Sequence, residues 1–186
     1  MKLVRSWPQT PPAHHPQIID NCERLYIPTV DYMPLLDLED DVIQLDWDVA
    51  VGRNELRNFA KKCLAEPDLV RVAPTMVYPT RQWRNHQDME FKDTWLVFKQ
   101  LPVGRASLEP GEPYCDYFGF GLVYLPWWTI KGFTDYLKAD GGNEPFLDSN
   151  FDVWYRKASG QRVPVEWDTH AVHINYSTKD ALEGLI

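Results

Sequence analysis

Two carboxylates separated by one residue, Asp46 and Asp48, follow the apolar stretch Val42-Ile43-Gln44-Leu45 and precede Val49-Ala50-Val51-Gly52. In an extended chain alternate residues point to the same side, so both carboxylates face one way a few ångströms apart. A hard divalent cation removes their mutual repulsion, and Mg²⁺ or Mn²⁺ favours oxygen ligands of this kind. The structural alternative is a solvated turn at a strand end, since Asp-x-Asp by itself is a common triplet. Two further acids, Asp148 and Asp152, stand a helical turn apart in Leu147-Asp148-Ser149-Asn150-Phe151-Asp152, where Asp148 or Ser149 suits a helix N-cap. Arg81 and Arg84 lie among Tyr78, Trp83, His86 and Trp95, which concentrates cationic donors beside aromatic rings. A solvated connector is the alternative there.

These groups need elements to position them. Val42–Leu45 reads as a strand. Beyond Gly52, apolar Leu56, Phe59, Ala60, Cys63 and Leu64 recur at helical spacing, and Glu66-Pro67 stops the helix. Residues 69–74 read as the next strand. Strand, Asp-x-Asp, helix, strand predicts a parallel pair joined by a crossover within an α/β fold. Residues 101–113, with three prolines and two glycines, read as a long turn region and the most mobile segment. Residues 117–126 read as one strand containing Gly119 and Gly121, and glycine inside a strand marks close approach of a ligand or another backbone. Trp127–Leu137 and the stretch after Leu147 read as helices. Residues 163–176 read as one alternating strand with Val165, Trp167, Ala171 and His173 on one face.

Prolines 8, 11, 12 and 16 around His14 and His15 predict an extended arm over residues 1–20. Residues 22–30 read as a short strand broken at Pro28, and residues 21–186 as a single domain. The net charge of −8 and a pI near 5.1 argue against a broad nucleic-acid surface. No apolar run has the length of a membrane span, and the first residues lack the apolar core of a signal peptide, which predicts a cytoplasmic protein. Cys22, Cys63 and Cys115 have no zinc or disulfide spacing and read as reduced structural thiols. Eight tryptophans are unusual for a chain of this size; some must fill the core, and indole is also a favoured wall for flat apolar faces such as sugar rings.

In their order along the chain, Leu45-Asp46-Trp47-Asp48, Phe118-Gly119-Phe120-Gly121 through Leu125-Pro126, Leu147-Asp148-Ser149-Asn150-Phe151 with Arg156 beyond, and the late His173 resemble the GT-A class of glycosyltransferases over residues 42–176. The resemblance implies an α/β fold, a GT-A-like mixed sheet flanked by helices, and an activity that moves a sugar from a nucleotide-sugar donor to an acceptor hydroxyl. It implies that Asp48, Asp46 and His173 hold Mn²⁺ or Mg²⁺, with Asp46 also facing the donor and Arg81 and Arg84 among the donor-binding residues. Asp148 matches the acid that takes the acceptor proton, with Asp152 as its substitute. Trp127, Trp128 and Trp154 would form part of an acceptor wall, the acceptor being a glycan, a protein or a modified base. Only about forty residues precede Asp46, so the nucleotide-binding half is abbreviated: either Tyr26 to Thr29 supplies a minimal base pocket, or a partner subunit completes it, or the enzyme is degenerate. Small proteins of this appearance are also encoded by bacteriophages, which would place the chain in host cytoplasm.

Two other readings compete. A haloacid-dehalogenase-type phosphatase also opens with an apolar strand and Asp-x-Asp, but Ala50 stands where Thr or Val is usual and no late Gly-Asp pair follows. A non-enzymatic GT-A-like module would bind carbohydrate or protein through its tryptophans.

Overall fold

The computed structural model describes residues 1–6, 29–30, 39–46, 49–77, 94–139 and 147–173. In chain order the strands are β1 (Lys2–Ser6), β2 (Thr29–Val30), β3 (Val42–Asp46), β4 (Val49–Val51), β5 (Arg71–Val72), β6 (Thr75–Val77) and β7 (Thr94–Trp95). They continue as β8 (Val97–Gln100), β9 (Arg105–Ser107), β10 (Tyr114–Cys115), β11 (Tyr117–Phe118), β12 (Leu122–Leu125), β13 (Val163–Pro164) and β14 (Ala171–His173). Three helices are described: α1 (Arg53–Ala65), α2 (Trp127–Ala139) and α3 (Leu147–Ser159).

β3 is buried on both faces from Val42 to Leu45, which only a central strand covered on each side can be. Its alternate residues enter different cores. Ile43 and Leu45 join Leu56, Phe59 and Cys63 of α1 on one face. Val42 joins Phe133 of α2 and Phe151 and Tyr155 of α3 on the other. β12 divides in the same way, with Leu122 and Tyr124 toward α1 and Val123 and Leu125 toward α2 and α3. The mixed α/β architecture therefore has a sheet between helical layers, each closed by the period-two alternation of its strands.

The central sheet has the order β2-β1-β3-β12-β5. β1 runs parallel to both β2 and β3, and β12 runs antiparallel to both β3 and β5. β3 and β5 are thus parallel, as the crossover helix predicts, but β12 lies between them. A second sheet has the order β4-β14-β6-β7, a third β11-β8-β9, and β10 pairs with β13.

Four sequence expectations are corrected. Residues 1–20 are not wholly an arm, because Lys2–Ser6 pairs residue for residue with Val42–Asp46 inside the sheet. Leu3-Val4 is too short an apolar run to announce a strand, and it is pairing on both sides that fixes it. Residues 117–126 are not one strand. β11 belongs to the third sheet and β12 to the first, and Gly119 and Gly121 carry the chain between them. Residues 163–176 are also interrupted: Thr169 N–H donates to the Glu166 carbonyl at 3.0 Å, closing a turn between β13 and β14. The expected turn region at 101–113 contains β9, which forms a hairpin with β8 through Gly104 at φ 81°.

Candidate functional site

β1, β3 and β5 are parallel and end toward one edge of the central sheet, its head. Three times the chain joins the central sheet to another there: between β3 and β4, between β5 and β6, and between β11 and β12. Asp46 closes β3 at that junction. It is register-paired with Ser6, and its backbone N–H donates to the Gly121 carbonyl at 3.0 Å. From β1 the chain goes to β2 on one side and then returns to β3 on the other, so strand order reverses between Ser6 and Asp46. Open α/β sheets bind ligands at such a switch point, outside the carboxyl ends of the strands.

Gly121 is required by the close approach of β6. A Cβ there would lie 2.9 Å from the Cβ of buried Thr75. Gly121→Ala is expected to cost about 1–3 kcal/mol by overpacking, read as a lower urea midpoint at unchanged slope.

His173 reaches the same place from the far end of the chain. β14 lies between β4 and β6, and His173 is the Cα partner of Val49, the residue that follows Asp48, and of Val77. Asp48, Arg81, Arg84 and the side chains of His173 and Asp148 lie outside the described residues. Among the described residues no three His, Cys, Asp or Glu side chains gather closely enough to hold a metal ion.

α3 runs from the head of the sheet to its foot. Phe151 packs on Phe118 and Phe120, next to Gly121, with ring centroids 6.3 and 5.5 Å away. Tyr155, one turn later, packs on Trp128, whose Nε1–H donates to the Asp68 carbonyl ahead of β5. The first turn of α3, which contains Asp148, therefore lies on the head side of Phe151. Asp148 falls inside the helix rather than at its cap. Asp152 is buried, and its Oδ2 accepts the Phe118 N–H at 3.4 Å, which places it against β11 rather than in an open cleft.

The expected tryptophan wall does not form at this junction. The Trp127 N–H donates to Oδ1 of Asp41, which precedes β3, so Trp127 and Trp128 stand at the foot, roughly 16 Å of strand from Asp46. Trp154 is half-buried between α2 and α3, 5.6 Å from both Phe133 and Phe151, with its ring against Gly132. It is core packing. The thiols match expectation for the two described cysteines: Cys63 and Cys115 are free and buried, and burial pushes the Cys63 thiol up to about 12 and raises that of Cys115 as well. Neither is a nucleophile at neutral pH.

Two clusters were not foreseen. Buried Arg71 pairs with Glu166 and Glu66, and Lys62 pairs with Glu166 at 2.6 Å and Asp168 at 2.7 Å. Arg105 and Arg156 both lie over the ring of Tyr117. Each cluster joins segments far apart in sequence, residues 62–71 with 166–168 and Arg105 with Arg156, and periodicity within one segment carries no signal for such pairing.

No family model matches the chain, and no curated protein matches it. Among solved structures it is similar to A197 from STIV, a viral protein, at 15% sequence identity and a TM-score of 0.56, over 95% of this chain and 87% of that one. The likeness shows a shared α/β fold. Among the described residues no helix is long and apolar enough to cross a membrane.

Proposed function

We propose that this chain is a metal-dependent glycosyltransferase of GT-A type, moving a sugar from a nucleotide-sugar donor to an acceptor hydroxyl. The observation that supports it most is the head junction. Asp46 ends the central strand at the switch point between β1 and β3, and β14 pairs His173 beside the residue after Asp48. Among the described residues, two short parallel strands, β1 and β2, precede Asp46 and flank the switch point.

The donor chemistry suits Mn²⁺ or Mg²⁺: carboxylate oxygens from Asp46 and Asp48 and one imidazole nitrogen from His173 make a hard-to-borderline set. When bound, the cation supplies neutralising charge to the diphosphate leaving group. The protein's own contributions are separate. Asp148, in the first turn of α3, is kept ionised by the positive end of the helix and takes the acceptor hydroxyl proton. Asp152, buried against Phe118, anchors α3 so that this first turn is held at the head. Arg81 and Arg84 bind the donor's phosphates, and the acceptor is a glycan, a protein or a modified base.

The test is incubation with uridine- and guanosine-diphosphate sugars and Mn²⁺. Release of nucleoside diphosphate, abolished by EDTA, is expected. Release of inorganic phosphate from a phosphomonoester would point instead to the dehalogenase-type chemistry. Glycan binding with neither activity would leave a binding module.

A further inference from the structure

Arg105 of β9 and Arg156 of α3 come from segments far apart in sequence, yet both sit on one aromatic ring. Their guanidinium carbons are 3.6 and 4.5 Å from the centroid of Tyr117. The ring is buried, and its hydroxyl, which donates to Oε1 of Gln100, holds it in place. The ring face attracts each cation and fixes where its guanidinium sits.

What is missing is a carboxylate. Arg71, Lys99 and Arg162 each hold one, whereas neither Arg105 nor Arg156 has an ion-pair partner among the described residues. Acids are not scarce, at 27 against 19 Lys and Arg. The adjacent Asp116 is committed elsewhere, to Arg162 at 3.0 Å and to the Gln100 N–H at 2.8 Å. Arg105 itself is exposed, so the pair is open to a ligand.

We infer that Arg105 and Arg156, stacked on Tyr117, form a site for an oxyanion, a phosphate or a carboxylate, carried by the acceptor. Two planar guanidinium forks held on a fixed ring offer preset donors to such a group. Arg156 lies eight residues beyond Asp148 on α3, about 12 Å along the axis. An acceptor one or two sugar rings long spans that distance from the proton-accepting carboxylate to the guanidinium pair. The assignment to an acceptor rests on the transferase reading; the binding of an oxyanion does not.

The experiment is titration calorimetry with inorganic phosphate and, separately, with citrate, on protein freed of metal over a chelating resin so that no metal-bound diphosphate site contributes and no soluble carboxylate chelator competes. Saturable binding of one probe by the wild type is expected, and the tighter probe tells phosphate from carboxylate recognition. Arg105→Gln and Arg156→Gln should each weaken it about tenfold, as loss of a charged hydrogen-bond partner does. Arg105→Lys, which keeps the charge and loses the fork, should fall between. Absence of binding by the folded wild type, or unchanged binding in the folded double Gln variant, overturns the site. Oxyanion binding that survives a negative nucleotide-sugar assay would sink the acceptor assignment and leave the site standing.

Discussion

Asp46→Asn is expected to abolish Mn²⁺-dependent release of nucleoside diphosphate, while Asp148→Asn lowers turnover by about 10²–10⁴-fold and keeps the metal effect. The two substitutions separate two roles that a simple loss of activity would merge. Asn is nearly isosteric with Asp, and the backbone bond from Asp46 to Gly121 does not depend on the side chain. The variant should therefore fold with β3 in place and lack only a charged oxygen ligand. Its thermal shift by nucleotide sugar with Mn²⁺ should vanish, because a ligand raises the melting temperature only by binding the folded state. Asp148→Asn should retain that shift, since a proton acceptor acts in the chemical step and not in donor binding. If Asp46→Asn kept the full metal-dependent shift, the head junction would not be the metal site. If Asp148→Asn turned over at the wild-type rate, the proton acceptor would have to be sought elsewhere.

The second large effect concerns stability. Glu166→Ala is expected to cost about 3–5 kcal/mol, the usual penalty for stranding one partner of a buried ion pair. Arg71 and Glu166 are both nearly enclosed, with side chains 11% and 10% exposed, and Glu66, the other partner of Arg71, is 55% exposed. Without Glu166 the guanidinium stays in the interior with one solvent-screened acid. Urea denaturation would show the loss as a lower midpoint. Arg71→Met with Glu166→Leu should recover most of it, because neither charge then needs compensation. Recovery of nothing would mean that the site cannot accept an apolar pair. The same cluster sets an alkaline limit. Burial lowers the affinity of Lys62 for its proton, but hydrogen bonds to Asp168 and Glu166 outweigh it and hold the ammonium above the ordinary 10.5. Its contribution is complete below that value and is lost as pH rises through the higher folded one. Lys62 is 40% exposed, so the contribution is below about 1 kcal/mol. Lys62→Met should flatten the alkaline end of the stability curve.

The sequence was most legible where one segment carries its own period. Leu56, Phe59 and Cys63 mark α1, and the burial of β3 follows from four consecutive residues of strand character. Legibility failed where a decision belongs to a partner strand. Residues 163–176 alternate well enough to suggest one strand, yet Trp167 turns away to donate its Nε1–H to the Glu112 carbonyl at 2.6 Å, and Glu166 turns to meet Arg71. The tryptophans misled for a related reason: residue type suggested a sugar wall, but position in the sheet decides which end they occupy. The placement of Asp46 and His173 at one junction combines both cases. The carboxylate was visible in its motif, whereas its neighbour across 127 positions was fixed only by the register of β14 against β4.

That register has a consequence for how the protein is made. β14 is the middle strand between β4 and β6, so both of its neighbours are synthesised long before it. At typical elongation rates of ~5–20 residues per second, they wait roughly 5–20 seconds for the strand that joins them. During that interval each presents an open row of backbone donors and acceptors, a template for any passing chain. The strand that brings His173 beside the carboxylate motif is therefore the last of the described strands to be synthesised, and a nascent chain stalled before Ala171 has the motif without its partner strand.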